Sequence, residues 1–188
     1  MTDMSEQIVH WLVSGTIVGL GLYLVSLVAM VIPWRRQRTL EIAMVVPFSR
    51  EHVWRAYFAN QVMRTPGVSF ETAQPDMLIE FDARVGAGNE HTCTMTARVM
   101  ANEPRRLFAL HVLTYDGAPY PGGPQSVDGV MLEDAPGGRG TRVTIFLHVE
   151  TPDLMHARLM RRAILITLAK LRRRLEASGA PLVSPPGM

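Results

Sequence analysis

The segment TPDLMHARLMRRAILITLAKLRRRLEA, residues 151–177, has the pattern of one long amphipathic helix. A Thr at the cap position, a Pro in the first turn and Asp153 together form a helix start. Arginines fall on one side of a helical wheel and apolar residues on the other, and Leu159, Ala163 and Ile166 widen the apolar arc to about 200°. Packing on a single surface requires a stripe of only ~100°. We therefore predict that this helix covers both a β-sheet and a cavity.

Strand-like segments precede the helix. Residues 39–46 form the first, Pro47 ends it, and Ser49 is a suitable N-cap for a helix through Phe58. Six further runs follow, separated by turn-rich stretches, at 68–73, 77–85, 91–101, 105–115, 126–134 and 140–150. Apolar and polar residues alternate in several of them, which is typical of strands with one buried face. The predicted fold is α+β, with a seven-stranded antiparallel sheet wrapped around the C-terminal helix.

Composition limits the classes of function. The chain has 188 residues, which is enough for one domain and an appendage. Its 19 basic and 17 acidic residues give a net charge of +2, so we expect no nucleic-acid partner. The single cysteine, Cys93, excludes an internal disulfide and a cysteine-rich metal site.

Three motifs and the order of elements carry a resemblance to a known superfamily. The motifs are VPFSREHVW at 46–54, VDGVMLE at 127–133 and GGRGTRV at 137–143. Residues 39–177 resemble the START-like, or SRPBCC, superfamily with its helix-grip fold, nearest the polyketide cyclase/dehydrase type. The resemblance implies an apolar cavity between sheet and helix, which in many members holds a lipid, sterol or polyketide. Residues 60–67 depart from the pattern, because the second short helix is missing there.

An uninterrupted apolar segment occupies residues 8–32, where 25 residues contain no Asp, Glu, Lys or Arg. This length is sufficient for a transmembrane helix. Residues 1–7 form a short tail without basic residues, and residues 33–38 are a basic linker containing Arg35, Arg36 and Arg38. The positive-inside rule then predicts a single-pass protein of the inner membrane, with the N-terminus outside and the C-terminal domain in the cytoplasm.

Two further features bear on membrane contacts. Gly15 and Gly19 form a GxxxG pattern, which predicts packing against another membrane helix as an alternative to contact with lipid. The arginine side of the C-terminal helix is interpreted as a solvated face, with contact to anionic lipid as the alternative. Residues 178–188, rich in Pro and Gly, are predicted to be a flexible tail.

No pattern of catalytic or metal-binding residues stands out. The histidines fall on different predicted elements without a shared-face spacing, so we predict no metal site and no cofactor. Cys93 alternates with Met95 and Ala97 and is interpreted as a small core residue. Glu80 and Asp82 fall on the polar side of their strand. Polar groups at a pocket mouth are expected from the loop 116–125 and its flanks, namely Tyr115, Asp116 and Tyr120.

The predicted cavity lies where the apolar faces of sheet and helix meet. Its candidate lining residues are Phe81, Met95, His111, Tyr115, Val143, Ile145, Met160, Ile164 and Leu168.

Three hypotheses of function remain at this point. The first is a membrane-anchored protein that binds a hydrophobic small molecule such as a lipid, an isoprenoid or a quinone-like compound. The second is an accessory or assembly subunit of a larger membrane protein complex. The third is a polyketide cyclase/dehydrase-like enzyme, for which the sequence offers no compelling set of residues.

Overall fold

The computed structural model describes residues 20, 23, 36–85, 91–120, 126–151 and 154–183. These residues form an antiparallel sheet, a short helix and a long C-terminal helix. In chain order the elements are β1 (Arg36–Val46), α1 (Arg50–Phe58), β2 (Gln61–Met63), β3 (Leu78–Val85), β4 (His91–Glu103), β5 (Leu107–Tyr115), β6 (Ala118–Pro119), β7 (Val127–Asp134), β8 (Thr141–Thr151) and α2 (Leu154–Ala177).

The sheet runs in the order β1-β8-β7-β5-β4-β3-β2, and β6 pairs with β5 outside this path. β1 and β8 pair along their full length, from Arg36 opposite Thr151 to Val46 opposite Thr141. The first strand therefore lies beside the last, directly before the chain enters α2. The antiparallel sheet with a long C-terminal helix confirms the predicted α+β helix-grip architecture.

Alternation along the strands determines which side chains enter the core. In β3, Ile79, Phe81 and Ala83 are buried, whereas Glu80 and Arg84 are exposed. In β4 the buried residues are Cys93, Ala97 and Val99, and in β8 they are Val143, Ile145, Leu147 and Val149. The apolar inner face predicted from the sequence is confirmed in all three strands. Each of these strands thus directs every second side chain toward the interior of the domain.

α1 begins after Ser49, whose Oγ lies 2.7 Å from His52 Nδ1 and caps the first turn. Its apolar side buries Val53, Trp54 and Phe58. Phe58 stacks on Phe70 with ring centroids 4.5 Å apart and meets Phe108 edge-on at 5.2 Å. These rings fix the C-terminal end of α1 against the sheet, next to α2.

The predicted strand at 68–73 is wrong, because a local turn replaces it. Ser69 N donates to Thr72 Oγ1 at 2.9 Å, and Ala73 N donates to Ser69 O at 2.9 Å. Such side-chain bonds compete with strand pairing. The strand in this part of the chain is β2, at Gln61–Met63, and the described sheet has eight strands where seven were expected because β6 is also added.

Two boundaries also differ from the prediction. β1 begins at Arg36, inside the segment expected to be a linker at 33–38. The loop expected at 116–125 begins with a tight hairpin between β5 and β6, in which Asp116 and Gly117 adopt φ values of 50° and 77°. The left-handed conformation at both positions is what a two-residue turn between twisted strands requires.

The N-terminal segment lies largely outside the described residues, whereas part of the C-terminal tail is described. The predicted membrane segment 8–32, with Gly15 and Gly19, and the tail 1–7 lie outside the described residues, apart from Leu20 and Tyr23. In the part of the chain that the structure describes, no helix has both the length and the apolar character needed to cross a bilayer. At the other end, Val183 N donates to Pro47 O at 3.0 Å, so the first part of the predicted flexible tail follows the domain surface.

Candidate ligand-binding cavity

A cavity of about 470 Å³ lies between the inner face of the sheet and α2. This volume falls within the ~300–1,000 Å³ that is usual for small-molecule sites. Apolar side chains make up most of its wall: Phe58, Phe81, Ala83, Met95, Phe108, Leu110, Val112, Val130, Ile145, Phe146, Leu147, Met160, Ala163, Ile164, Ile166 and Leu171. Such a lining favours a ligand with a substantial apolar surface.

α2 has three faces, and one of them forms the wall of the cavity. The core face is buried and consists of Ile164, Leu168, Leu171 and Leu175, of which Ile164 and Leu171 also border the cavity. The cavity face contains Met160, Ala163, Ile166, Thr167, Lys170 and Arg174. The third face is exposed and carries Arg158, Arg161, Arg162, Arg172 and Arg173.

These faces explain the width of the apolar arc on α2. Ala163 and Ile166, which widen the arc, line the cavity rather than the core. Leu159, assigned to the same arc, is 60% exposed, so its predicted burial is wrong. At 100° per residue Leu159 lies only about 20° from Ile166, so the helical wheel does not separate the two, but Leu159 is two turns nearer the N-terminus of α2 and is not among the lining residues.

The interior of the cavity contains one polar cluster. Tyr120 Oη donates to Asp128 Oδ2 at 3.0 Å, and Tyr57 lines the same wall. Asp128 Oδ1 is buried, and no group among the described residues donates to it. β7 places Asp128 on the inner face because it shares the alternation of Val130 and Leu132, which are both buried.

Burial controls the protonation of this cluster. It raises the pKa of Asp128 to about 7, although the hydrogen bond from Tyr120 partly opposes the change. The pKa values of Tyr57 and Tyr120 lie above the usual range, mainly because both rings are desolvated and also because Asp128 is near. A carboxyl group with this pKa exists in both protonation states near neutral pH, so it is able to donate or accept a hydrogen bond there.

The mouth of the cavity is marked by lining residues that are exposed, namely Arg84, Ala163 and Thr167. The lining also includes Lys170 and Arg174 of α2, Asn60, which precedes β2, and Gln61, the first residue of β2. Arg174 Nη1 donates to Ala56 O at 2.9 Å, which ties the C-terminal part of α2 to the last turn of α1.

The structure brings together five of the nine predicted lining residues. They are Phe81, Met95, Ile145, Met160 and Ile164. The other four, His111, Tyr115, Val143 and Leu168, do not line this cavity.

Local geometry explains these four exceptions. His111 lies between Leu110 and Val112 of β5, both of which line the cavity, so alternation directs His111 to the opposite face. Val143 and Leu168 are in the solid part of the core, with 0% and 4% exposure. The hydroxyl of Tyr115 interacts with the thiol of Cys93 rather than with the cavity. Burial raises the pKa of this hydroxyl to about 12.

Cys93 has the core position predicted for it. Its side chain is 1% exposed, Sγ donates to Ala83 O at 3.4 Å, and burial raises the pKa of the thiol. A raised pKa disfavours the reactive thiolate. Among the described residues, no group of three or more His, Cys, Asp and Glu side chains is arranged to hold a metal ion.

Several polar side chains of the cavity lining were not predicted from the sequence. The position of Asp128 could have been predicted, because it shares the alternation of the apolar residues Val130 and Leu132 in β7. A carboxyl group at such a position faces the interior. Lys170 and Arg174 lie beside the apolar arc of α2, where the wheel alone does not separate a cavity wall from a solvated face. Asn60 belongs to a segment without periodicity, so nothing in its surroundings indicated a role.

Solved structures of the same architecture are found in proteins of low sequence identity. MLL2253 from Mesorhizobium loti matches with a TM-score of 0.53 at 16% identity, covering 75% of this chain and 98% of that one. A protein from Arthrobacter aurescens matches with a TM-score of 0.53 at 14% identity, covering 76% and 88%. Ara h 8.0201, of the Bet v 1 type, matches with a TM-score of 0.50 at 15% identity, covering 75% and 99%.

The chain shares the helix-grip fold of these proteins. No protein-family model and no curated protein matches its sequence. At these identities the likeness establishes the fold alone. The finer resemblance to polyketide cyclases rests on the sequence motifs, and the function of this helix-grip domain has to be argued from its cavity.

Proposed function

We propose that this protein binds a hydrophobic small molecule in the cavity between the sheet and α2. The proposal rests on one observation: a cavity of about 470 Å³ with largely apolar walls, which the protein's own side chains do not fill. Transfer of apolar ligand surface from water into such a space is favourable by about 25 cal/mol per Å². A lipid, an isoprenoid or a quinone-like compound has the required apolar surface.

Blocking the cavity provides the test. The purified full-length protein is titrated with the neutral fluorescent probe N-phenylnaphthylamine, and its bound small molecules are extracted and identified by mass spectrometry. We expect saturable probe binding that is lost in Ala163→Trp, because Ala163 lies at the mouth. Ala169→Trp is the matched control, since Ala169 is exposed on the same helix and lies outside the lining. Equal binding to both variants would contradict the proposal and favour the accessory-subunit hypothesis.

Acid–base catalysis on a hydrophobic substrate is a second candidate. It is favoured by Asp128, which lines the cavity with a pKa near 7 and is hydrogen-bonded to Tyr120. A general base with such a pKa is efficient at neutral pH. Acetophenone in D₂O tests this candidate, since transfer of its α-proton to Asp128 and return of a deuteron gives deuterated ketone. The candidate requires exchange that is faster than in buffer and is abolished in Asp128→Asn.

We also propose that residues 8–32 anchor the domain in the inner membrane, with the domain in the cytoplasm. The proposal is supported by the uncharged segment and by the arginines that follow it. We expect the full-length chain to remain in the membrane pellet after alkaline carbonate extraction, and the variant Leu20→Arg/Leu24→Arg to be released. Recovery of the unsubstituted chain in the soluble fraction would show that the anchor assignment is wrong.

A further inference from the structure

The mouth of the cavity carries an excess of positive charge. Arg84, Lys170 and Arg174 line the cavity, and the only carboxylate in the described lining is Asp128, which belongs to the interior cluster with Tyr120. Lys170 is also the only lysine in the whole sequence. The charges of the lining are therefore separated, with cations at the mouth and the carboxyl inside.

Arg174 is the decisive residue at the mouth. It is partly buried, and desolvation lowers the pKa of its guanidinium. Its Nη1 donates to Ala56 O, and among the residues that the structure describes no carboxylate forms an ion pair with it. A desolvated cation without a counter-charge is unfavourable. Its remaining N–H groups are suited to a planar oxyanion.

Asn60 provides a second, independent observation at the same place. Its Nδ2 is buried in the cavity wall and has no acceptor among the described residues. Asn60 follows Ala59, the C-cap of α1, and Ala56 in the last turn of the same helix accepts the hydrogen bond from Arg174. Lys170 lies one helical turn before Arg174 on the same face of α2. Arg174 and Asn60 thus present donors beside the C-terminal end of α1, and Lys170 adds a positive charge to the same part of the cavity wall.

We propose that the cavity takes an amphiphile with an anionic head group, which Arg174, Lys170 and Asn60 hold at the mouth while the apolar tail enters the interior. This inference rests on the proposed function and adds the chemical class and the orientation of the ligand. The orientation follows from the separation of charges, because the cationic side chains lie at the mouth and the interior is lined mainly by apolar side chains. Carboxylate and phosphate monoester heads both have the required oxygens.

A series of probes with one tail tests the head group. Dodecanoate, dodecyl phosphate, dodecanol and dodecylamine each compete with N-phenylnaphthylamine for the full-length protein. We expect at least one of the two anions to bind about tenfold or more tightly than the alcohol, since each charge-assisted hydrogen bond contributes on that order. The ratio between the two anions distinguishes a fatty acid from a phosphate-bearing lipid. Inorganic phosphate and acetate, which lack a tail, are expected not to compete.

Variants then assign the effect to residues. Arg174→Gln and Lys170→Gln are each expected to weaken the preferred anion about tenfold and to leave dodecanol unchanged. Arg173→Gln is the control, because Arg173 is the adjacent arginine on the exposed face. Asn60→Leu gives a second, uncharged test if Arg174→Gln fails to fold.

The outcomes separate the two proposals. Tight binding of dodecanol without preference for the anions would overturn the inference while leaving the proposed function intact. Equal weakening by Arg173→Gln and Arg174→Gln would also overturn it, since the effect would then arise from net charge alone. Failure of all four dodecyl probes to displace N-phenylnaphthylamine would count against both proposals.

Discussion

Replacing Asp128 by asparagine removes the one carboxyl in the described lining of the cavity, while an acceptor for the hydroxyl of Tyr120 is kept. In the unfolded chain Asp128 ionises with its usual pKa of 3.8, whereas in the folded protein its pKa is about 7. Between these values the unfolded state binds fewer protons than the folded state, so the stability contributed by this group falls as pH rises and becomes constant above pH 7.

The size of this loss follows from the two pKa values. At about 1.4 kcal/mol for each tenfold change in proton affinity, the full effect is about 4 kcal/mol at most. Part of it is already present at pH 5, because the unfolded carboxyl is ionised there. The remaining fall between pH 5 and pH 8 is about 2 to 3 kcal/mol. In Asp128→Asn this fall should disappear, whereas all other titrating groups contribute equally to both proteins.

Urea unfolding followed by circular dichroism at pH 5, 6, 7 and 8 measures the effect as a change in the free energy of unfolding. Only the pH dependence is compared, since the amide introduces a buried donor of its own that shifts stability at every pH. Glu133→Gln serves as the control, because Glu133 lies on the same strand and is exposed. Parallel pH profiles for the unsubstituted protein and Asp128→Asn would refute the account of a desolvated carboxyl.

Three further predictions concern stability and use the same urea measurement. Gly129→Ala should destabilise the protein by about 1 to 3 kcal/mol, because a Cβ there would lie 2.2 Å from Cζ of Phe146, and adding Phe146→Leu should recover part of the loss. Gly140→Ala should cost about 2 kcal/mol or more, since φ is +115° and a Cβ would lie 2.1 Å from the carbonyl oxygen of Val46; an unchanged midpoint would disprove this close approach. Ser49→Ala should cost about 1 kcal/mol through loss of the α1 cap, whereas Ser49→Asp should retain most of the stability.

The architecture was largely predictable because it follows from periodicity. Ile79, Phe81 and Ala83 alternate with charged residues, and the structure buries those three. The helix predicted over 151–177 is found at Leu154–Ala177. In both elements the burial of one apolar face is the largest favourable contribution to folding. The period of the apolar residues therefore predicts the type of secondary structure.

The cavity was less predictable, because a residue that faces a cavity and one that faces the core have the same periodicity. Leu168 and Met160 are both apolar and both lie on the inner side of α2, yet one packs against the sheet and the other lines the cavity. Their difference depends on the distance between helix and sheet, which no local pattern encodes. The short strand β2 was missed for a related reason, since its three residues are held by pairing with β3 rather than by an apolar pattern of their own.

The edge of the sheet beside the mouth is paired over fewer residues than the opposite edge. β2 pairs with β3 through three residue pairs only, Gln61 to Met63, whereas β1 on the opposite edge pairs with β8 over eleven. Local opening begins where few bonds hold the chain. We therefore expect the rim next to Asn60 to open more readily than the opposite edge of the sheet when a large ligand enters. Leu171 and Leu175 are buried on the core face of α2. Local opening at the rim would therefore leave the hydrophobic core unchanged.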